Sequence, residues 1–272
     1  MIDMRGARVC ITGGARGIGR ATAEELIGRG ARVWIGDRDL PAAEQTAAEI
    51  GAIAHLLDVT DENSFRTFLA AAEEDGPLDM LVNNAGIQLM GGFADQDLAA
   101  MQRELAVNLG AVLTGVHLVL PGMRLRRRGH IVNVASMAGK ITTPGIATYC
   151  ASKFGVVAFS RALRAELAGS GVTVTTVLPA ATHTDLTSGV RLRLQPTLTP
   201  DQVAGAIADS ARHGRGEVTV PRWLAPIGLV EELIPTPALW WLKRFVGGAE
   251  YGGYDPELRR DYLDRIQQGA CP

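Results

Sequence analysis

The chain has 272 residues, with 27 Lys and Arg against 29 Asp and Glu, and its formal net charge of −2 gives no global attraction to nucleic acid or an anionic membrane. That length suits one large α/β domain or two small ones and buries a substantial core. The three cysteines, Cys10, Cys150 and Cys271, are scattered and odd in number, which fits neither a disulfide framework nor a metal knot and suits a reducing, cytoplasmic compartment.

The opening "MIDMRGARVCITGG" has no apolar stretch with a small-residue cleavage site, and a strand begins within it. From there, short Val- and Ile-rich runs alternate with Ala-rich, charged stretches of helical period, the pattern of βαβ units and a parallel sheet. The expected order is strand 7–12, helix 17–29, strand 31–36, helix 40–50, strand 52–57, helix 61–75, strand 78–82 and helix 98–127. Strand 130–135, helix 148–169, strand 172–178, helix 200–213 and strand 217–220 follow. No apolar run is expected to reach the roughly 18 residues of a spanning helix, because 111–123 is interrupted by His117 and Pro121. The fold class is therefore α/β: one Rossmann-like, doubly wound parallel sheet of about seven strands, with ligands beyond the carboxyl ends of the strands.

After residue 221 the character changes. "PRWLAPIGLVEELIPTPALWWLKRFVGG" is rich in proline, holds three of the four tryptophans and lacks strand alternation. It reads as a C-terminal helical extension, so the chain divides into a core of 1–220 and a tail of 221–272 within a single domain. Trp240, Trp241, Leu242, Phe245 and Val246 beside Lys243 and Arg244 have the make-up of an interfacial helix over 236–247. A subunit contact or a lid over an apolar substrate uses the same residues.

"TGGARGIG", Thr12 to Gly19, stands where the first strand hands over to the first helix. Gly13 permits a tight turn, Gly17 lets backbone approach a pyrophosphate, and Gly19 allows close helix packing; the helix N-terminus offers N–H groups to anionic oxygens. Asp37 ends the second strand, where a carboxylate accepts hydrogen bonds from a ribose hydroxyl and repels a 2′-phosphate, which argues for NAD. Arg16 and Arg38 supply the opposite possibility, pairing with the phosphate of NADP if Asp37 turns aside.

"NNAG" at Asn83 to Gly86, then Asn108, Ser136, Tyr149 and Lys153, occur in an order and spacing that resembles the short-chain dehydrogenases/reductases over residues 5–220. The resemblance implies that Thr12, Gly13, Gly17, Ile18 and Gly19 hold the pyrophosphate region and Asp37 the adenosine ribose. Asp58, with Val59, would lie at the adenine, and Asn84, Ala85 and Gly86 would line the cleft. Pro179, Thr182 and Thr184 would reach the nicotinamide side. Ser136, Tyr149 and Lys153 would form the catalytic trio, with Asn108 holding a water in a proton relay. The family's Pro-Gly is here Pro179-Ala180, so the backbone at Ala180 should avoid positive φ. A homodimer or homotetramer, with a helix pair including 148–169 at one interface, is also implied.

Hydride transfer between an alcohol carbon and a nicotinamide requires a proton to leave or join the oxygen. Free tyrosine, with a pKa of roughly 10, is too weakly acidic for the task, and a nearby ammonium favours the phenolate. Lys153, four residues after Tyr149, is placed for this and for the nicotinamide ribose, while Ser136 can hold the substrate oxygen. No His, Cys and Asp cluster has metal-ligand spacing. Arg124 to His130 reads as a solvated, dipole-complementing helix end, and His183 as a loop residue near the substrate. Cys150 and Ser152 are expected to lie off the working face of the helix. The activity expected is NAD(H)-dependent interconversion of a secondary alcohol and a ketone on an apolar, steroid-like or lipid-derived substrate. An NADPH-dependent carbonyl or 3-oxoacyl reductase, or a non-catalytic nucleotide-binding regulator, are the alternatives.

Overall fold

The computed structural model describes residues 2–189, 197–226 and 255–267. Seven parallel strands form one sheet in the order β3-β2-β1-β4-β5-β6-β7. They are β1 (Arg8–Thr12), β2 (Arg32–Asp37), β3 (Ile53–Leu56), β4 (Met80–Asn83), β5 (Gly129–Val134), β6 (Val172–Pro179) and β7 (Glu217–Val220). Strand order reverses beside β1, so a crevice opens between the carboxyl ends of β1 and β4. The central strands are buried on both sides and therefore read as continuous apolar runs rather than alternating ones.

Helices cover both faces. On one, α1 (Gly17–Gly28), α2 (Leu40–Ile50) and α7 (Pro200–His213) pack Leu26, Ala43 and Ile207 against Val9, Ile11, Val33, Ile35 and Val82. On the other, α3 (Glu62–Glu73), α5 (Ala111–Leu125) and α6 (Ala147–Glu166) pack Phe65, Phe68, Val116 and Val156 against Cys10, Trp34, Leu81 and Ile131. The helices begin where their sequences say they should. Asp39 accepts from the Ala42 amide at 3.2 Å at the head of α2, and Thr199 and Gln202 form a capping box on α7. Left-handed glycines Gly51 and Gly214 end those two helices.

One expected helix is not continuous. The stretch expected as 98–127 consists of α4 (Leu98–Leu105), a π turn (Ala106–Gly110) that contains Asn108, and α5. The combined 28 residues of Leu98–Leu125, which contain an 18-residue window of mean hydropathy 1.6, are long and apolar enough by length and composition to cross a membrane. That corrects the expectation that no segment reaches this limit. Val112, Val116, Val119 and Met123 of this stretch are packed against the sheet, as in a core helix.

The arginines of the basic run, Arg124, Arg126, Arg127 and Arg128, are exposed at the end of α5, as expected, and three of them are also engaged. Arg126 donates to the Leu78 carbonyl at 3.0 Å and Arg127 to the Gly169 carbonyl at 2.8 Å, while Arg128 pairs with Asp79 at 3.0 Å. His130 alone departs from the solvated reading: it lies on β5, fully buried between Thr173 Oγ1 at 2.8 Å and Ser210 Oγ at 2.9 Å.

Of the tail, a 3-10 turn at Arg222–Leu224 and a helix, α8 (Pro256–Gln267), are described. The tryptophan segment at 236–247 lies outside the described residues, as does most of the loop 184–198 beyond Gly189. Helix α8 bridges the carboxyl edge of the sheet. At one end Arg38, just after β2, donates to the Arg265 carbonyl at 2.8 Å. At the other, Arg259 donates to the carbonyls of Leu186 and Ser188, beyond β6, at 2.9 and 3.0 Å.

Candidate active site

The glycine turn is shaped by contacts that leave no room for side chains. Gly13 and Gly17 have φ of +67° and +55°, a region that favours glycine. A Cβ on Gly19 would lie 2.1 Å from the Gly13 carbonyl oxygen, and one on Gly13 2.9 Å from Ala85 Cα. Gly14, which the motif reading passed over, is equally constrained, since a Cβ there would meet Ile35 at 2.5 Å. Thr12 and Asn84 tie β1 to β4 across the crevice. Thr12 Oγ1 accepts from the amides of Asn84 and Ala85, both at 3.0 Å, and Asn84 Nδ2 donates to the carbonyls of Thr12 and Gly13 at 2.9 and 3.0 Å. Among the described residues no side chain caps α1, whose N-cap residue is Arg16 in extended conformation. The N–H groups of its first turn are thereby left for an anionic oxygen. This cradle fits a dinucleotide pyrophosphate.

At the adenosine end, Asp37 is fastened by backbone. Its Oδ2 accepts from the Ala15 amide and its Oδ1 from the Asp39 amide, both at 3.1 Å. The two nearby arginines are engaged elsewhere: Arg16 pairs with Asp39 at 2.8 Å, and Arg38 holds the Arg265 carbonyl. Asp58 Oδ1 accepts from the Thr60 amide at 2.9 Å, next to partly exposed Val59. On the other lip, Thr182 and Thr184 are joined through Thr187, whose hydroxyl donates to the Thr182 carbonyl at 2.6 Å. Gly17 faces Thr184 across the crevice, a Cβ there lying 3.1 Å from Thr184 Cγ2. His183 is exposed, and Ala180 keeps negative φ, donating its amide to the Val220 carbonyl at 2.8 Å.

The structure gathers Asn108, Ser136, Tyr149 and Lys153 beyond the carboxyl ends of β4 and β5. Ser136 caps the 3-10 turn after β5, accepting from the Ala138 amide at 3.1 Å. Tyr149 and Lys153 are buried on α6, with the Lys153 ammonium 5.6 Å from the Tyr149 ring centroid and donating to the Val134 carbonyl at 3.0 Å. Asn108 brackets Ile87, accepting from its amide and donating to its carbonyl, each at 2.8 Å. Gly86 lies between these groups: a Cβ there would meet Asn108 Oδ1 at 3.2 Å and Lys153 Nζ at 3.6 Å. Ser152 belongs to this cluster, contrary to expectation. Its hydroxyl accepts from Asn108 Nδ2 at 3.1 Å and donates to the Tyr149 carbonyl at 2.7 Å, because the π turn swings Asn108 onto that side of α6. Cys150 is buried with its Sγ 4.0 Å from the Thr143 carbonyl, a packing position.

Burial dominates the electrostatics. It pushes the Tyr149 hydroxyl well above the usual phenol range, opposed by hydrogen bonding with Ser136. It lowers Lys153 to about 8, opposed by the charge of Glu104. The protein alone therefore holds Tyr149 protonated.

Sequence reasoning missed four contributors. Glu104, Gln88, Arg259 and Tyr262 are buried around the segment that follows "NNAG". Tyr262 Oη accepts from the Gln88 amide at 2.7 Å, and Arg259 Nη2 donates to the Gln88 carbonyl at 2.8 Å. Glu104 Oε1 accepts from the Leu89 amide at 2.8 Å. Glu104, one turn before Asn108 on a helix, was the one with a readable signal; the α8 residues had none.

A doubly wound sheet with a glycine cradle at its crevice and a Ser, Tyr and Lys cluster beyond β5 defines a nucleotide-binding fold of the Rossmann class. The chain belongs to the short chain dehydrogenase family, whose model matches residues 7–195. It is 42% identical over 187 residues to "Probable oxidoreductase EphD" of Mycobacterium tuberculosis, covering 65% of this chain but 31% of that protein. The chain thus spans about a third of the length of the mycobacterial relatives it matches. "17-beta-hydroxysteroid dehydrogenase 13" of Rattus norvegicus is 32% identical over 251 residues, 89% of this chain and 84% of that one. Among solved structures, 3-ketoacyl-(acyl-carrier-protein) reductase from Brucella melitensis complexed with NADH superposes with a TM-score of 0.74 at 29% identity. The match covers 80% of this chain and 99% of that one.

Proposed function

We propose that this protein is an NAD(H)-dependent dehydrogenase that interconverts a secondary alcohol and a ketone on an apolar substrate, steroid-like or lipid-derived. The observation that carries the reading is the gathering of Ser136, Tyr149, Lys153 and Asn108: Lys153 and Asn108 meet at Gly86, and Tyr149 adjoins both Lys153 and Ser136. The nicotinamide, when bound, takes or gives the hydride. Tyr149 takes the alcohol proton in oxidation and returns it in reduction, while Ser136 holds the substrate oxygen. Lys153 binds the nicotinamide ribose, and its ammonium, with the cofactor's positive ring, brings the phenol back toward ionisation.

Asp37 favours NAD. Its carboxylate is fixed by two backbone amides rather than free to turn aside, and neither Arg16 nor Arg38 is unengaged. An NADPH-dependent carbonyl or 3-oxoacyl reductase is the second reading; the ketoacyl reductase named above supports its substrate class, though that neighbour is complexed with NADH. The apolar substrate rests on the steroid dehydrogenase relative and on the composition of the tail. A reducing, cytoplasmic setting and a homodimer or homotetramer belong to the same reading.

The test is NAD-coupled oxidation of a panel of steroid, terpene and aliphatic secondary alcohols, repeated with NADP. Turnover of apolar members with NAD supports the proposal; a marked preference for NADP overturns the role of Asp37. Tyr149→Phe should abolish turnover and leave NAD affinity little changed, whereas Lys153→Ala should weaken both. Near-normal turnover of the Tyr149 variant would remove the assigned proton carrier.

A further inference from the structure

Helix α8 reads PELRRDYLDRIQ, and the residues it buries, Arg259, Tyr262 and Ile266, are spaced three and four apart. That is one narrow stripe along an otherwise charged helix. Twelve residues are marginal as an isolated helix in water, so α8 owes its order to what the stripe touches. It touches separate lips of the crevice.

Arg259 is fully buried, although a guanidinium in a protein stays charged. Its Nη1 donates to the carbonyls of Leu186 and Ser188 at 2.9 and 3.0 Å, and its Nη2 to the Gln88 carbonyl at 2.8 Å. One planar fork thereby joins the turn after β6 to the segment after β4. Tyr262, whose ring centroid is 4.5 Å from the guanidinium carbon, accepts from the Gln88 amide at 2.7 Å. Just ahead of the helix the Asp255 amide donates to the Gly189 carbonyl at 2.8 Å, and a Cβ on Gly189 would lie 2.7 Å from the Asp255 carbonyl oxygen.

The far end is held differently. Arg265 pairs with Asp185 at 2.9 Å while its carbonyl accepts from Arg38, beyond β2, at 2.8 Å, and both contacts are exposed. Exposed pairs of this kind contribute little. The Ile266 carbonyl accepts from Arg103 of α4 at 3.5 Å. All the bonds named here end on the lips of the crevice, and none on its floor of Thr12, Gly13, Gly17, Gly19 and Asp37. The lips are close to one another: Thr184, which faces Gly17 across the crevice, immediately precedes the turn that Arg259 grips.

We propose that α8 is a strap across the cofactor crevice, pinned by Arg259, that must unlatch for a dinucleotide to enter or leave. This rests on the dehydrogenase reading above. Opening starts at the exposed Arg265 end, and the buried Arg259 fork is the last hold to give way. A helix with so few buried residues belongs to the part of a fold that opens locally, and its opening puts cofactor release under the control of the tail.

Two measurements on the full chain test this, with NADH as the probe, or NADPH if it alone binds. The first is amide hydrogen exchange with and without the dinucleotide. The second is its release, followed by stopped-flow fluorescence, from wild type, Arg259→Met and Tyr262→Phe. Binding should slow exchange across 256–267 and 185–189 in wild type, a coupling that a merely structural helix would not show. Arg259→Met keeps much of the bulk and loses the fork, so release should quicken at least about tenfold, as expected for losing bonds to a charged group. Tyr262→Phe removes one neutral bond and should quicken release by about threefold; it carries the kinetic test alone if the Met protein does not fold. Faster exchange of 256–267 on binding would make α8 a plug that the cofactor displaces and would overturn the strap, as would unchanged release from the folded variants. Both of those results leave the dehydrogenase reading standing. Failure of wild type to bind either NADH or NADPH would instead overturn that reading and the strap with it.

Discussion

Replacing Gly19 with alanine tests whether the glycine turn is the cradle its contacts describe. The added Cβ would lie 2.1 Å from the Gly13 carbonyl oxygen and 2.7 Å from Asn84 Nδ2, whereas a relaxed carbon-to-oxygen contact is about 3.3 Å. Gly13 must therefore move by roughly an ångström. The two bonds in its path are the Asn84 bond to its carbonyl at 3.0 Å and its own amide bond to the Gly36 carbonyl at 2.8 Å. Losing both costs about 2 kcal/mol, and overpacking adds about 1–3 kcal/mol, for a total near 3–5 kcal/mol. Against a typical stability of about 5–15 kcal/mol the variant should still fold. Its melting temperature should drop by roughly 6–20 °C, at about 2–4 °C per kcal/mol for a domain of this size. Titration calorimetry with NAD should show affinity reduced at least about tenfold, because the amides that meet the pyrophosphate shift with the turn. A Gly19→Ala protein that melts within a degree or two of wild type and binds NAD equally well would show that neither the crowding nor the cradle is as described.

Two further outcomes concern pH and ion pairing. Burial lowers His130 to about 4, below the ordinary 6.5, so as pH falls through 6.5 the unfolded chain takes up a proton that the folded one refuses. From pH 6.5 to pH 5 this should remove roughly 1.5–2 kcal/mol. Glu104, raised to about 7, works in the opposite sense, since over the same window the folded state binds the extra proton. Urea unfolding should therefore show these two contributions nearly cancelling in wild type, and a net loss on acidification in Glu104→Gln; equal pH dependence in both proteins contradicts the assignment. Glu217 starts β7 and joins Lys140 at 2.8 Å, Arg161 at 2.6 Å and Arg164 at 3.3 Å, partners that outweigh its partial burial and hold its carboxyl down to about 2. Glu217→Gln should cost about 1–2 kcal/mol after allowance for solvent screening, read as a lower urea midpoint at unchanged slope.

The elements that hydrophobic period specifies were legible in the sequence: the Val- and Ile-rich strands and the Ala-rich helices between them. Asn108, Ser136, Tyr149 and Lys153 were legible as motifs, and the sheet brings them together because they follow successive strands on its carboxyl edge. What could not be read depends on contacts distant in sequence or on backbone irregularity. Arg259 and Tyr262 meet Gln88 from more than 170 positions away, and no local pattern marks such a pairing. In the basic run the solvated arginines were legible and the buried His130 was not, because its partners Thr173 and Ser210 come from β6 and α7. Ser152 misled because helical spacing was applied to α6 alone, while its partner Asn108 sits in a turn of different pitch.

That π turn also limits how the family scaffold can be edited. An α-helix advances about 100° per residue, and a π turn holds one residue more than an α turn. Residues on either side of 106–110 are therefore out of phase by that angle. Removing a single residue there would leave a smoother helix and an intact apolar stripe along α5. Yet Glu104 and Asn108 could no longer both reach the segment 87–89. Length changes that are harmless elsewhere in a helix should at this point separate structural integrity from catalytic geometry.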